Sequence, residues 1–137
     1  HLDFQGVWID ELHTLKESDP NITFKELFYE VNFREGIPHF YFLLVRFFGT
    51  IFGFSIYSIR LFSVLFGVLG IFLLFLLGKN ISNKQTGLIA ALLLAVHPFH
   101  IEYSQEGRSY VLLMTFVIFA FYRLILFSIT ANLSLVI

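Results

Sequence analysis

The sequence predicts an all-α protein, a polytopic transmembrane helical bundle with juxtamembrane helices in an outer loop. Three observations predict it. Hydrophobic residues make up 57% of the 137 residues and charged residues only 14%, where a soluble domain has about 45–50% and about 25%. Mean hydropathy is +0.78. The apolar residues gather in long runs, and a run of about 17–25 residues is what a membrane span requires. The 19 phenylalanines suit helices that face lipid. A net charge of −1 and the lack of a basic stripe leave no nucleic-acid partner. With no cysteine there is neither a disulfide framework nor a thiolate metal site.

The elements follow in order. Asp10 to Glu35 reads as two short amphipathic helices at the membrane surface. Leu12 and Leu15 supply the apolar spacing of the first; Phe24, Leu27, Phe28 and Val31 supply that of the second. Asp19-Pro20-Asn21 separates them, and Thr23 with Glu26 forms a capping-box pattern. Four apolar stretches follow. Ile37–Phe54 is interrupted by Arg46, with Pro38 at one end and Gly49 and Gly53 at the other. That pattern predicts a helix from Pro38 to about Gly53 that enters the outer leaflet and returns, with Arg46 snorkelling. Transmembrane helices are expected over 56–78, 86–101 and 109–128, leaving 1–54 as the outer loop. The chain starts at His1 and stops inside an apolar stretch, so it reads as a piece of a longer protein.

Sidedness follows from charge. Lys79 and Lys84 bracket a short loop without an acid, which the positive-inside rule places in the cytoplasm, with Arg123 near the same face. If 37–54 does not cross, two acidic clusters share the outer side. One is Trp8-Ile9-Asp10-Glu11; the other runs from His100 through Glu102 and Glu106 to Tyr110. Acids at a membrane edge are costly unless a cation, a basic group or water meets them, so both clusters are candidate sites. From the residues alone, Asp10 could also be the N-cap of a helix starting at Glu11. Glu11 could serve the first-turn dipole, and Glu106 could pair only with Arg108. His97 and His100 read as interfacial histidines, and His13 as a weak ligand candidate.

The ordered set Trp8-Ile9-Asp10-Glu11, Pro38-His39-Phe40-Tyr41-Phe42-Leu43, Arg60-Leu61-Phe62-Ser63, Gly87-Leu88-Ile89-Ala90-Ala91, Pro98-Phe99-His100 and Tyr103 to Tyr110 resembles the N-terminal module of GT-C membrane glycosyltransferases. The group it resembles contains dolichyl-phosphate-mannose protein mannosyltransferases and the lipid A aminoarabinose transferase. The resemblance implies transfer of a sugar from a polyprenyl-phosphate carrier to a protein, lipid or glycan acceptor on the extracytoplasmic side. The membrane would be the plasma membrane in a prokaryote or the endoplasmic reticulum in a eukaryote. It also implies a further helix before Asp10, and a fragment inactive by itself.

On that reading Asp10, Glu11 and Glu106 are catalytic, with Asp10 the base. Arg108 meets the lipid phosphate. Tyr103, Gln105, Tyr110 and His39 line the substrate. Asp10 and Glu106 could share a divalent cation, Mg²⁺, Mn²⁺ or Zn²⁺. Two departures stand out. Relatives carry His where this chain has Ile37, with His39 a substitute, and many carry Ala in place of Gly107, an exchange expected to be harmless. The rival readings are a transporter or lipid-flipping protein, whose acids would guide protons or substrate, and a relative that binds lipid carriers without transfer.

Overall fold

The computed structural model describes residues 6–34 and 38–134. Ile37 and the first five residues, to which expectations attach, lie outside the described residues. Among the described residues the secondary structure is helical, with no strand: α1 (Ile9–Glu17), α2 (Phe24–Arg34), α3 (His39–Phe52), α4 (Ile56–Ile81), α5 (Lys84–Ala95), α6 (Pro98–Ser104) and α7 (Tyr110–Ser134). The chain is an all-α membrane protein. Residues 56–81 and 110–131 are helices long and apolar enough to cross a bilayer.

The chain divides into two compact units. The first holds residues 1–65 and 103–109. Its core is Leu27 and Val31 from α2, Tyr41, Phe42 and Val45 from α3, and Ile59 and Phe62 from α4. Thr23 and Glu26 make the expected capping box, with the Glu26 amide donating to Thr23 Oγ1 at 3.2 Å and the Thr23 amide to Glu26 Oε2 at 2.8 Å. α3 has 14 residues, about 21 Å at 1.5 Å per residue, less than the roughly 30 Å of a hydrocarbon core. It stops at Gly53, whose φ of +88° suits a residue without a Cβ. The rings of Tyr41 and Phe48 both meet Phe62, at 6.3 and 5.5 Å, so α3 packs on the first turns of α4.

Arg46 does not snorkel. Its Nη2 donates to the Pro20 and Ile22 carbonyls at 2.9 and 2.7 Å, and the guanidinium lies 4.6 Å from the Phe24 ring centroid. The charge inside an apolar helix is therefore used to fasten the turn between α1 and α2.

α1 also departs from the expected pattern. Its buried residues are Glu11, Thr14 and Glu17, while Leu12 and Ile9 are exposed. The helix turns its polar face inward because polar partners wait there. Burial pushes the Tyr41 hydroxyl above its ordinary pKa, so it stays neutral, with Thr14 and Ser63 beside it.

The second unit holds residues 66–102 and 110–137. The end of α4 and the start of α5 form a tight helical hairpin. A Cβ on Gly87 would lie 2.5 Å from the Phe75 carbonyl, so only glycine lets the backbones approach this closely. Asn83 caps α5, accepting the Thr86 amide at 3.0 Å. α7 is tied to α4 by Thr115 Oγ1, 2.8 Å from the Phe66 carbonyl. The stretch 86–101, expected as one helix, is two: α5 and α6 are bent by 65° across Val96 and His97. Pro98 lacks an amide hydrogen and disfavours helical backbone in the residue before it, which breaks the run. His97 is exposed and His100 is buried.

Candidate functional site

The first unit gathers most of the expected site residues: Asp10, Glu11, His39, Tyr103, Gln105, Glu106 and Arg108. Tyr110 opens α7 in the second unit. Asp10 and Glu11 occupy the first turn of α1, whose N-cap is Trp8. Asp10 is therefore not the cap. That task falls to Glu11, whose Oε2 accepts the Trp8 amide at 3.2 Å. The Asp10 side chain is exposed.

Glu11 is 1% exposed and has four hydrogen bonds. Arg60 grips both carboxylate oxygens with one edge of its guanidinium, Nε to Oε1 at 2.9 Å and Nη2 to Oε2 at 2.7 Å. The amide of Gly107 donates to Oε1 at 2.8 Å. Burial alone would raise the Glu11 carboxyl, but the Arg60 bond and the Gly107 and Trp8 amides outweigh it and hold the pKa below its ordinary value. Glu11 is thus held as a carboxylate, with its lone pairs directed into the fold. Arg60, itself 2% exposed, is a site residue the sequence reading passed over. A cation four residues into an apolar helix was its signal, since such a charge needs a counter-charge.

The loop between α6 and α7 reaches the same turn of α1 by a second bond. Arg108 Nη1 donates to the Asp10 carbonyl at 3.2 Å. Arg108 is 8% exposed, so it adds positive charge beside Asp10 from within the protein. Glu106 and Gln105 are half-buried on that loop, and Tyr103 is exposed. His39 stands apart on α3, its ring 4.6 Å from Phe28 and its Nε2 3.4 Å from the Phe28 carbonyl. The two acidic clusters, 96 residues apart in sequence, are therefore joined through backbone groups, Glu11 to the Gly107 amide and Arg108 to the Asp10 carbonyl.

Gly107 corrects one expectation. A Cβ there would lie 2.7 Å from Ile59 Cγ2 and 3.4 Å from Glu11 Oε1. Ile59 is 1% exposed and branched at Cβ within a helix, so its methyl cannot swing away freely. An alanine at this position requires the loop or Ile59 to shift.

Among the described residues no three His, Asp or Glu side chains form a group that could hold a metal ion. Mg²⁺ can be held by one or two carboxylates, but only with substrate phosphate and water completing its shell. The donor set does not fit a site built from protein alone.

The family model for dolichyl-phosphate-mannose-protein mannosyltransferases matches residues 37–137. The match includes Arg60, Glu106, Gly107 and Arg108; Asp10 and Glu11 lie before it. No curated protein and no solved structure matches the chain. The match runs through α3, the two long apolar helices and the loop that grips α1, over most of the chain's length. The chain belongs to the dolichyl-phosphate-mannose-protein mannosyltransferase family and is an integral membrane glycosyltransferase of the mannosyltransferase type.

Proposed function

We propose that the protein moves a sugar from a polyprenyl-phosphate carrier to an acceptor on the extracytoplasmic side, with Asp10 as general base. One observation carries the reading. Asp10 presents an exposed carboxylate from a turn whose backbone is fixed from two sides, while its neighbour Glu11 is fully engaged inside. A base must be free to reach the proton it removes, and the turn that carries it must be rigid.

The transfer balances simply. The acceptor hydroxyl or amine attacks the anomeric carbon. The bond from that carbon to the phosphate oxygen breaks, and its electron pair leaves with the polyprenyl phosphate. The acceptor proton goes to the Asp10 carboxylate. Arg108 supplies positive charge near the developing phosphate anion, where a preoriented cation is most effective. Its burial makes it a source of field more than a clamp. Glu106 shares the loop and supports the acceptor or the sugar. Glu11 acts through position and is not expected to touch substrate.

The break between α5 and α6 favours a second reading, since interrupted helices also build transporter sites. The two readings separate on one variant. Asp10→Asn is nearly isosteric and sits at an exposed position. It should lower sugar transfer by about 10²–10⁴-fold while expression and thermal stability in detergent stay unchanged. Transfer is followed with radiolabelled polyprenyl-phosphate sugar and membrane acceptors. Wild-type transfer by Asp10→Asn would remove Asp10 as base and favour the transporter or a carrier-binding protein.

A further inference from the structure

We propose that Gly107, seated against Ile59 and bonded to Glu11, is a positioning residue that sets how closely the loop bearing Glu106 and Arg108 approaches Asp10. The inference rests on the reading of Asp10 as base.

Three contacts meet at this glycine. Its amide donates to Glu11 Oε1 at 2.8 Å. Its α-carbon faces Ile59, where an added Cβ would come within 2.7 Å of Cγ2. The next residue, Arg108, donates to the Asp10 carbonyl at 3.2 Å. Gly107 is itself buried. Its φ is not positive, since among the described residues only Gly53 has a positive φ. The requirement for glycine is therefore one of space, not of backbone conformation. Nothing in the loop's own geometry calls for a glycine; the demand comes from the helix wall opposite and from the carboxylate beside it.

The opposing wall is stiff. Ile59 is in the first turns of α4, one residue before Arg60, and Arg60 is held by Glu11. Glu11 is held in turn by the Gly107 amide, so the wall and the loop are fastened to the same carboxylate. A methyl group at 107 has to displace either the loop or α4, and displacing α4 strains the Arg60–Glu11 pair. The loop is the part that yields. It moves outward by several tenths of an ångström, lengthening the Gly107–Glu11 bond and withdrawing Glu106 and Arg108 from Asp10. Positioning losses of this kind fall on the chemical step more than on substrate capture.

The test uses the full-length enzyme in membranes and in detergent. Gly107→Ala should lower kcat about tenfold, with the KM for polyprenyl-phosphate sugar within about twofold of wild type. Amide exchange in peptides spanning 103–109, measured by mass spectrometry, should quicken about tenfold, since the amide bond to Glu11 opens more often. Ile59→Leu keeps the volume of the side chain but carries no methyl on Cβ. Added to Gly107→Ala, it should restore both the exchange protection and the turnover. Ile59→Leu alone serves as the reference, and rates are given per folded enzyme.

Gly107→Ala with wild-type exchange overturns the inference whatever the donor sugar is. Slow turnover that Ile59→Leu does not rescue also overturns it, because the spacing against Ile59 is then not the cause. If Gly107→Ala matches wild type while Asp10→Asn is inactive, the positioning role fails and the base survives. If Asp10→Asn is active, the catalytic reading fails, and the exchange data still report whether Gly107 holds the loop.

Discussion

Asp10 and Glu11 are adjacent acids with opposite environments. One is exposed, and the other is buried against Arg60 with its pKa held down. The sign of the pH dependence follows. A carboxyl whose folded pKa lies below its unfolded value stabilises the fold above that unfolded value, and the contribution disappears as pH falls through the folded pKa. Thermal stability in detergent should therefore drop on the acid side of the ordinary carboxyl value of 4.5. Arg60→Met should reverse the sign. Burial, the largest influence on Glu11, then prevails and raises its pKa. The variant should lose about 3–5 kcal/mol at neutral pH, as expected for a buried charge left alone, and regain stability as the pH falls and Glu11 is protonated. A variant whose melting temperature keeps the wild-type pH profile would show that Arg60 does not hold the charge. The sequence marked Asp10 and Glu11 as a pair, but not their division of labour. The partner that separates them is 49 residues away, and no local pattern reports a contact at that range.

At the scale of the element, what was legible depended on which side of a helix meets its own kind. α2 was readable in part: Leu27 and Val31 are buried as their spacing predicts and Thr23 and Glu26 cap it locally, while Phe24 and Phe28, of the same expected stripe, are exposed. α1 was readable in extent but inverted in orientation, since a rule learned in water assigns the apolar stripe to the interior. Here Ile9 and Leu12 face outward, while Glu11 has Arg60 as its interior partner and Thr14 lies beside Tyr41. The length of α3 was legible from Pro38 and Gly53, and the purpose of Arg46 was not. Arg46 fastens the turn before α2 through the Pro20 and Ile22 carbonyls and the face of Phe24. Arg46→Ala should cost about 2 kcal/mol, the scale of hydrogen bonds from a charged donor. Arg46→Lys should recover only part, because an ammonium lacks the planar fork that stacks and bonds together. Limited proteolysis between residues 18 and 24 would report the loosening. Equal resistance in wild type and Arg46→Ala would show that the turn stands without it.

For the whole molecule, the family and helical class were legible because both rest on features spread along the chain: long apolar runs and an ordered set of motifs. The break before Pro98 marks where a continuous apolar run misled, since hydropathy counts residues and is blind to a missing amide hydrogen. Sidedness makes the remaining prediction. Cysteines placed singly at Ser82 and Ser104 in the full-length protein should behave oppositely toward an impermeant thiol reagent applied to sealed cells or lumen-out vesicles. Ser104→Cys should react and Ser82→Cys should not, as the lysines flanking residue 82 favour the cytoplasm. Reaction at 82 alone would invert the orientation and place Asp10 away from the acceptor side. The Glu11–Gly107 bond also sets a schedule for biogenesis. The two residues are 96 positions apart, a delay of about 5–20 s at ordinary ribosomal speeds of ~5–20 residues per second. During that interval Glu11 exists without its last partner, and the long apolar helix α4 is made in the meantime. A nascent chain stalled before residue 107 would hold Arg60 and Glu11 but not the loop, so the first turn of α1 can reach its final form only when synthesis has passed that point.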